Sequence, residues 1–126
     1  MNKKIKFRLG DVIFADLGPK RNRCLAGQRR CIFLGHTNFS VSVIPLTSLF
    51  SKEGVRKLTF DSDLIIEGGV ANLRCDSIIR VHECKNIDVL DIDRKTGRLP
   101  DEFINLLLEK YHSLLPASPI LSEITH

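Results

Sequence analysis

Only one stretch of this chain repeats its apolar residues at helical spacing over several turns, and it comes late: LPDEFINLLLEKYHSLL, residues 99–115. Phe103, Leu106, Leu107, Lys110 and Leu114 make a mostly apolar stripe, and Ile104, Leu108, Tyr111 and Leu115 widen it. Pro100, Asp101 and Glu102 suit a helix start, where the helix dipole favours negative charge. Pro116 and Pro119 stop the pattern. The spacing predicts one long helix, buried on much of its circumference. Everything before it must build a sheet.

The preceding residues read as short strands between glycine, proline and polar turns. GDVIFADLGP (10–19) is one, closed by a Gly-Pro turn, and CIFLG (31–35) is another. In SVSVIPLTS (40–48), Val41 and Val43 alternate with Ser40 and Ser42, and Pro45 predicts a sheet edge or a bulge. RKLTFD (56–61), GVANLRCDSIIRV (69–81) and IDVLDID (87–93) supply further candidates. Short strands at this spacing predict a mainly β fold: a small barrel or bent antiparallel sheet with one C-terminal helix. There is no internal repeat or low-complexity segment. Residues 1–115 are read as a single domain and 116–126 as a loose tail, whose Ile120, Leu121 and Ile124 could instead dock on a partner chain.

No apolar run approaches the length of a membrane span. The start, MNKKIKFRLGDV, is basic without a hydrophobic core segment, so a cytoplasmic protein is expected. Cys24, Cys31, Cys75 and Cys84 lack the paired spacing of a zinc site and are read as reduced structural thiols. No metal or other cofactor is expected. The charge is unevenly spread: residues 1–30 hold nine Lys/Arg and two Asp, although the whole chain is only +4. KRNRCLAGQRR (20–30) has five basic residues and no acidic one, and is read as a loop suited to a polyanion.

The segment LRCDSIIRV (73–81) adds a sharper feature. On a strand, Leu73 and Cys75 share one face while Arg74 and Asp76 share the other. That places opposite charges side by side, as an exposed ion pair or as an acid/base pair at a site.

Three pieces, in order, resemble the MazF/PemK family of toxin endoribonucleases. GDVIFADLGP resembles the family's N-terminal strand and turn. AGQRRCIFLG followed by VIPLTS resembles its Gly-x-Arg-Pro strand and the later strand ending in Thr-Ser. LRCDSIIRV is similar to its Cys-Asp-Gln-Ile-Arg-Thr segment, most of all in the PemK branch, which has Arg-Cys-Asp. The helix after GRLP completes the order, so the likeness covers roughly residues 8–115. It implies an SH3-like barrel or bent sheet with a C-terminal helix, as in MazF, PemK and CcdB. It also implies a homodimer, metal-free cleavage of single-stranded RNA, and inhibition by a cognate antitoxin.

Carried over residue by residue, the resemblance makes Arg29, Thr47, Arg74 and Asp76 catalytic. It sets Lys20, Arg21, Arg23, Gln28, Arg30, Ser48, Ser77 and Arg80 against RNA. The chain departs from the family where Arg23, Cys24 and Leu25 replace His or Ser followed by Glu-Gln, where Arg30 replaces proline, and where Ser77-Ile78-Ile79-Arg80 replaces Gln-Ile-Arg-Thr. The expected chemistry is attack by the RNA 2′-OH, giving a 2′,3′-cyclic phosphate and a 5′-OH. Asp76 can accept a proton, while Arg29 and Arg74 can clamp phosphate oxygens. The alternative is a non-catalytic binder on the same fold, as with CcdB. Dimer contacts are expected from Val41–Leu46 and part of the helix.

Overall fold

The run Val12-Ile13-Phe14-Ala15 does not alternate, because strand β1 (Asp11–Asp16) is covered on both faces. Val12 faces a core with Ile32, Ile44, Leu46, Ile66, Leu73 and Ile79, closed by Ile104 and Leu107 of the helix. Ile13 and Ala15 face a second core with Cys31, Phe33, Val41, Val43, Ile87 and Ile92. A computed structural model describes residues 6–19, 24–38 and 40–115 of the chain.

The remaining strands are β2 (Gln28–His36), β3 (Ser40–Ser48), β4 (Leu64–Ile66), β5 (Ser77–Ile79), β6 (Lys85–Asp88) and β7 (Ile92–Arg98). They make one open sheet in the order β4-β5-β3-β2-β1-β7, with β6 also on β3 and every pairing antiparallel. The expected bent sheet with a C-terminal helix is present, in its open form.

Pro45 lies inside the sheet rather than at an edge. Opposite β2, strand β3 carries β6 along Ser40–Val43 and β5 along Leu46–Ser48. The Pro45 carbonyl accepts from the Arg80 amide at 3.1 Å on that side, so its missing N–H falls in the gap between the two partners. With β3 paired on both edges and Val41, Val43, Ile44 and Leu46 buried in the chain's own cores, the apolar side chains of Val41–Leu46 are not available for the expected dimer contact.

Other expectations are corrected too. Residues 56–61 form no strand; Arg56 makes an isolated bridge to Phe50, and Leu58 and Phe60 are exposed. Residues 69–81 contain a tight turn at Val70–Asn72, a bend, and only then β5. Residues 87–93 span the end of β6, a turn at Val89–Asp91 and the start of β7. The helix α1 (Asp101–Leu114) buries Ile104 and Leu107 and half-buries Phe103, Leu108 and Tyr111, so its buried seam is rotated from the expected stripe. Leu106 and Leu114 are exposed.

Two close backbone approaches fix the turn before β5. A Cβ on Gly97 of β7 would lie 2.2 Å from the Ala71 carbonyl oxygen, and one on Gly68 would lie 3.0 Å from Cys75 Cα. At Gly97 only glycine lets the segments meet, and at Gly68 a side chain would press on the Cys75 backbone.

Candidate functional site

Three elements that are distant in sequence meet at one end of the sheet. The first is the start of β2, held where the Leu17 amide donates to Gly27 and the Gly27 amide to Gly18, both at 2.9 Å. The second is the end of β3. The third is the bend at 73–76, set by the Gly68 and Gly97 contacts. Between them lies a cleft of about 380 Å³ lined by Gln28, Arg29, Arg30, Thr47, Ser48, Arg74, Cys75 and Ser77, with Phe14, Leu46 and Leu73 behind.

Arg29 is half-buried and fastened to neutral acceptors: Nε donates to the Ala26 carbonyl and Nη1 to the Leu46 carbonyl, each at 3.1 Å. Its charge is thus held in place without being neutralised. Arg30 has a buried Nε with no acceptor among the described residues. Arg74 is exposed and has no ion pair among the described residues. A cluster of cations without carboxylate partners suits a polyanion.

The strand reading of 73–76 fails here. Arg74, Cys75 and Asp76 are all exposed in a bend, so Cys75 is not a core residue sharing Leu73's face. Cys31 is the buried thiol: burial pushes its pKa up to about 12, against Arg29 and Lys85. Asp76 does not line the cleft; its Oδ1 accepts from the Gly68 amide at 2.8 Å, and its carbonyl accepts from the Leu49 amide at 2.8 Å. Ser77 is buried and donates to the Cys75 carbonyl at 2.9 Å. Ser48 donates to the Phe50 carbonyl at 3.0 Å.

Arg80 points elsewhere. Its Nη1 pairs with the buried Asp63 carboxylate at 2.6 Å, and its guanidinium stacks 5.4 Å from the Phe60 ring centroid. The segment 20–30 is not all loop either, since Gln28, Arg29 and Arg30 belong to β2. Lys20, Arg21 and Arg23 lie outside the described residues.

Behind two of the lining hydroxyls, Thr47 and Ser48, stands a residue that the sequence reading missed. Lys57 Nζ donates to Thr47 Oγ1 at 2.9 Å and to Ser48 Oγ at 3.4 Å. Burial pushes its pKa below the usual lysine range; Arg29 and then Arg80 push the same way, against a smaller opposing effect of Cys75. No spacing rule connects residue 57 to residue 47. The backbone bond from the Lys57 amide to the Leu49 carbonyl, 2.8 Å, makes the connection.

A family model described as PemK-like, MazF-like toxin of type II toxin-antitoxin system matches residues 8–115. The chain belongs to this family. Solved structures of MazF-like toxins share its fold at low sequence identity. MazF (Form-I) from Deinococcus radiodurans superposes with a TM-score of 0.67 at 13% identity, covering 88% of this chain and 97% of that one. The Mycobacterium tuberculosis toxin MazF-mt6 gives 0.61 at 18% identity, covering 82% and 93%. A mycobacterial endoribonuclease in complex with its cognate antitoxin gives 0.58 at 14%, covering 86% and 97%. A search of curated proteins finds no significant match. Among the described residues of this PemK-like chain, no group of His, Cys, Asp and Glu could hold a metal ion, and no helix is long and apolar enough to cross a membrane.

Proposed function

We propose that this chain is the toxin of a toxin–antitoxin pair and a cytoplasmic endoribonuclease that cuts single-stranded RNA without a metal. The observation that carries the reading is the meeting of Arg29, Thr47 and Arg74, from three separate elements, in one cleft whose arginines lack carboxylate partners among the described residues. Arg29 and Arg74 hold the scissile phosphate and stabilise charge on the phosphorane, the job in which fixed donors contribute most. Arg29 suits this because its two carbonyl bonds pre-set its direction. Thr47 donates its hydroxyl proton to a phosphate oxygen while its oxygen accepts from Lys57. Asp76 takes the 2′-hydroxyl proton through Oδ2, since Oδ1 is held by Gly68. Its place outside the cleft lining means that RNA must lie over the 73–76 bend to reach it. Gln28, Arg30, Ser48 and Ser77 line the RNA path, and Lys20, Arg21 and Arg23 add positive charge on approach. Arg80 belongs to the Asp63 pair and is withdrawn from the RNA set.

The cognate antitoxin supplies an acidic, disordered segment that competes with RNA for the same cations. The chain acts as a homodimer through the exposed Leu106, Leu114 and Leu115 of the helix region, by two-fold symmetry. A second reading, a binder without catalysis, draws on one observation: the candidate base Asp76 is turned to a backbone amide.

Incubation with a long single-stranded RNA in EDTA, followed by end mapping, decides between them. Cleavage leaving 2′,3′-cyclic phosphate and 5′-OH ends is expected, with duplex RNA and DNA spared, since DNA lacks the attacking hydroxyl. Binding without cutting would favour the second reading, and a strict need for Mg²⁺ would point to another enzyme class.

A further inference from the structure

The departing 5′-oxygen of the RNA needs a proton, and the cleft's arginines are poor sources because a guanidinium stays protonated at neutral pH. Among the described residues no histidine lines the cleft: His36 is at the far end of β2, His82 faces Asp63 beside Ser62 and Glu83, and His112 is in the last turn of α1. Lys57 is placed differently. It is half-buried, pinned through its backbone amide to Leu49, and its ammonium reaches both hydroxyls at the end of β3. Two of its three N–H bonds serve Thr47 and Ser48, both of which line the cleft.

We infer that Lys57 is the general acid of this site, giving its Nζ proton to the 5′-oxygen as the P–O5′ bond breaks. This rests on the ribonuclease reading above and adds a residue to it. In the step, O2′ bonds to phosphorus as its proton passes to the Asp76 carboxylate. The P–O5′ electron pair goes to O5′, which takes the Lys57 proton and leaves as a 5′-hydroxyl. The neutral amine regains a proton from water. Charged and titratable groups around Lys57 favour the transfer: Arg29 from β2 and Arg80 beyond β5 disfavour the ammonium, burial acts in the same direction, and only Cys75 from the bend opposes. An acid so tuned works closer to neutral pH than an ordinary lysine.

A leaving group that needs no proton separates this role from simple charge. The full-length wild type, Lys57→Met and Lys57→Arg are compared on an RNA oligonucleotide spanning a mapped cleavage position. One version carries the natural 5′-oxygen and the other a bridging 5′-sulfur, whose thiolate leaves unprotonated. Melting curves confirm that each variant is folded. On the oxygen substrate both variants lose about a hundredfold or more in rate. On the sulfur substrate both cut within a few-fold of wild type. Wild-type rates on the oxygen substrate also fall on the alkaline side below the usual lysine range, a fall absent with sulfur. Equal loss on both substrates would make Lys57 a binding or positioning residue and overturn the assignment. A fully active Lys57→Arg would overturn it as well, since charge alone would then suffice. A wild type that cuts neither substrate would instead defeat the ribonuclease reading itself.

Discussion

At the junction of β1 and β7, Asp11 is 1% exposed and engages two cations, Arg98 and Lys95. Arg98 Nη1 sits 2.9 Å from its carboxylate, Lys95 Nζ 3.2 Å, and the Arg8 amide donates at 2.9 Å. Arg98 also donates to the Leu9 carbonyl, which ties the chain before β1 to the last strand. The cleft at the other side of β2 is built from the same residue types with the opposite outcome. There Arg29 is anchored on carbonyls, Arg30 keeps an unsatisfied Nε, and Arg74 has no ion-pair partner among the described residues. A buried acid neutralises its cations for the fold; a carboxylate-free cluster leaves its cations for a ligand. The difference teaches that the position of acids, more than the number of arginines, separates architecture from recognition in this small basic domain.

The largest expected effect breaks the cleft side of that contrast. Arg29→Ala and Asp76→Asn should each lower RNA cleavage by about a hundredfold or more, the lower range for a lost charge-stabilising or proton-accepting group. Their melting temperatures should change less than that of an Asp11 variant. Rate assays beside thermal melts check this, and wild-type rates in both variants would remove these residues from the site.

The next effect breaks the architectural side. Asp11→Asn should cost about 2–3 kcal/mol of folding stability, because Arg98, Lys95 and the Arg8 amide lose a charged acceptor. It should leave cleavage per folded molecule unchanged. Burial alone would raise the Asp11 pKa, but the Arg8 amide, Arg98 and Lys95 together hold it below the ordinary value of 3.8. A lowered carboxyl pKa stabilises the fold above the ordinary value, and that contribution is lost as pH falls below it. Urea midpoints should therefore drop more steeply for wild type than for Asp11→Asn between about pH 4 and more acidic conditions. Parallel curves would contradict the assignment.

How far the sequence carried this contrast depends on what each position answers to. β1 and β3 were legible because their apolar residues are dictated by burial, and it was the family resemblance that set Arg29, Thr47 and Arg74 in one candidate site. β7 was not legible: Asp93, Arg94 and Lys95 are exposed, and that edge strand exists through its pairing with β1. The 69–76 segment looked like a strand by composition. Its course is set by contacts far away in sequence, Gly97 against Ala71 and Gly68 against Cys75. Ala71 and Asn72 accept left-handed backbone there, at φ of 54° and 62°, a conformation that propensity disfavours. Lys57 was hidden for the same reason, because only tertiary contact brings it to Thr47.

A smaller effect sharpens the contrast through the thiols. Cys75 lines the cleft and is exposed, whereas Cys31 is fully buried and its pKa is near 12. An alkylating reagent should modify Cys75 readily and Cys31 only on unfolding. Single-stranded RNA should slow modification of Cys75 several-fold and leave that of the exposed Cys24 less affected. Peptide mapping reads out each site. Equal protection of both would place RNA elsewhere.

The most direct test is an NMR titration with a 2′-O-methyl oligoribonucleotide, which binds as RNA but lacks the attacking hydroxyl. Backbone and side-chain signals of Arg29, Thr47, Lys57, Arg74 and Cys75 should shift together, while those of Asp11, Asp63 and Arg98 stay in place. Shifts centred on the Asp63–Arg80–His82 cluster, with the cleft silent, would contradict the account.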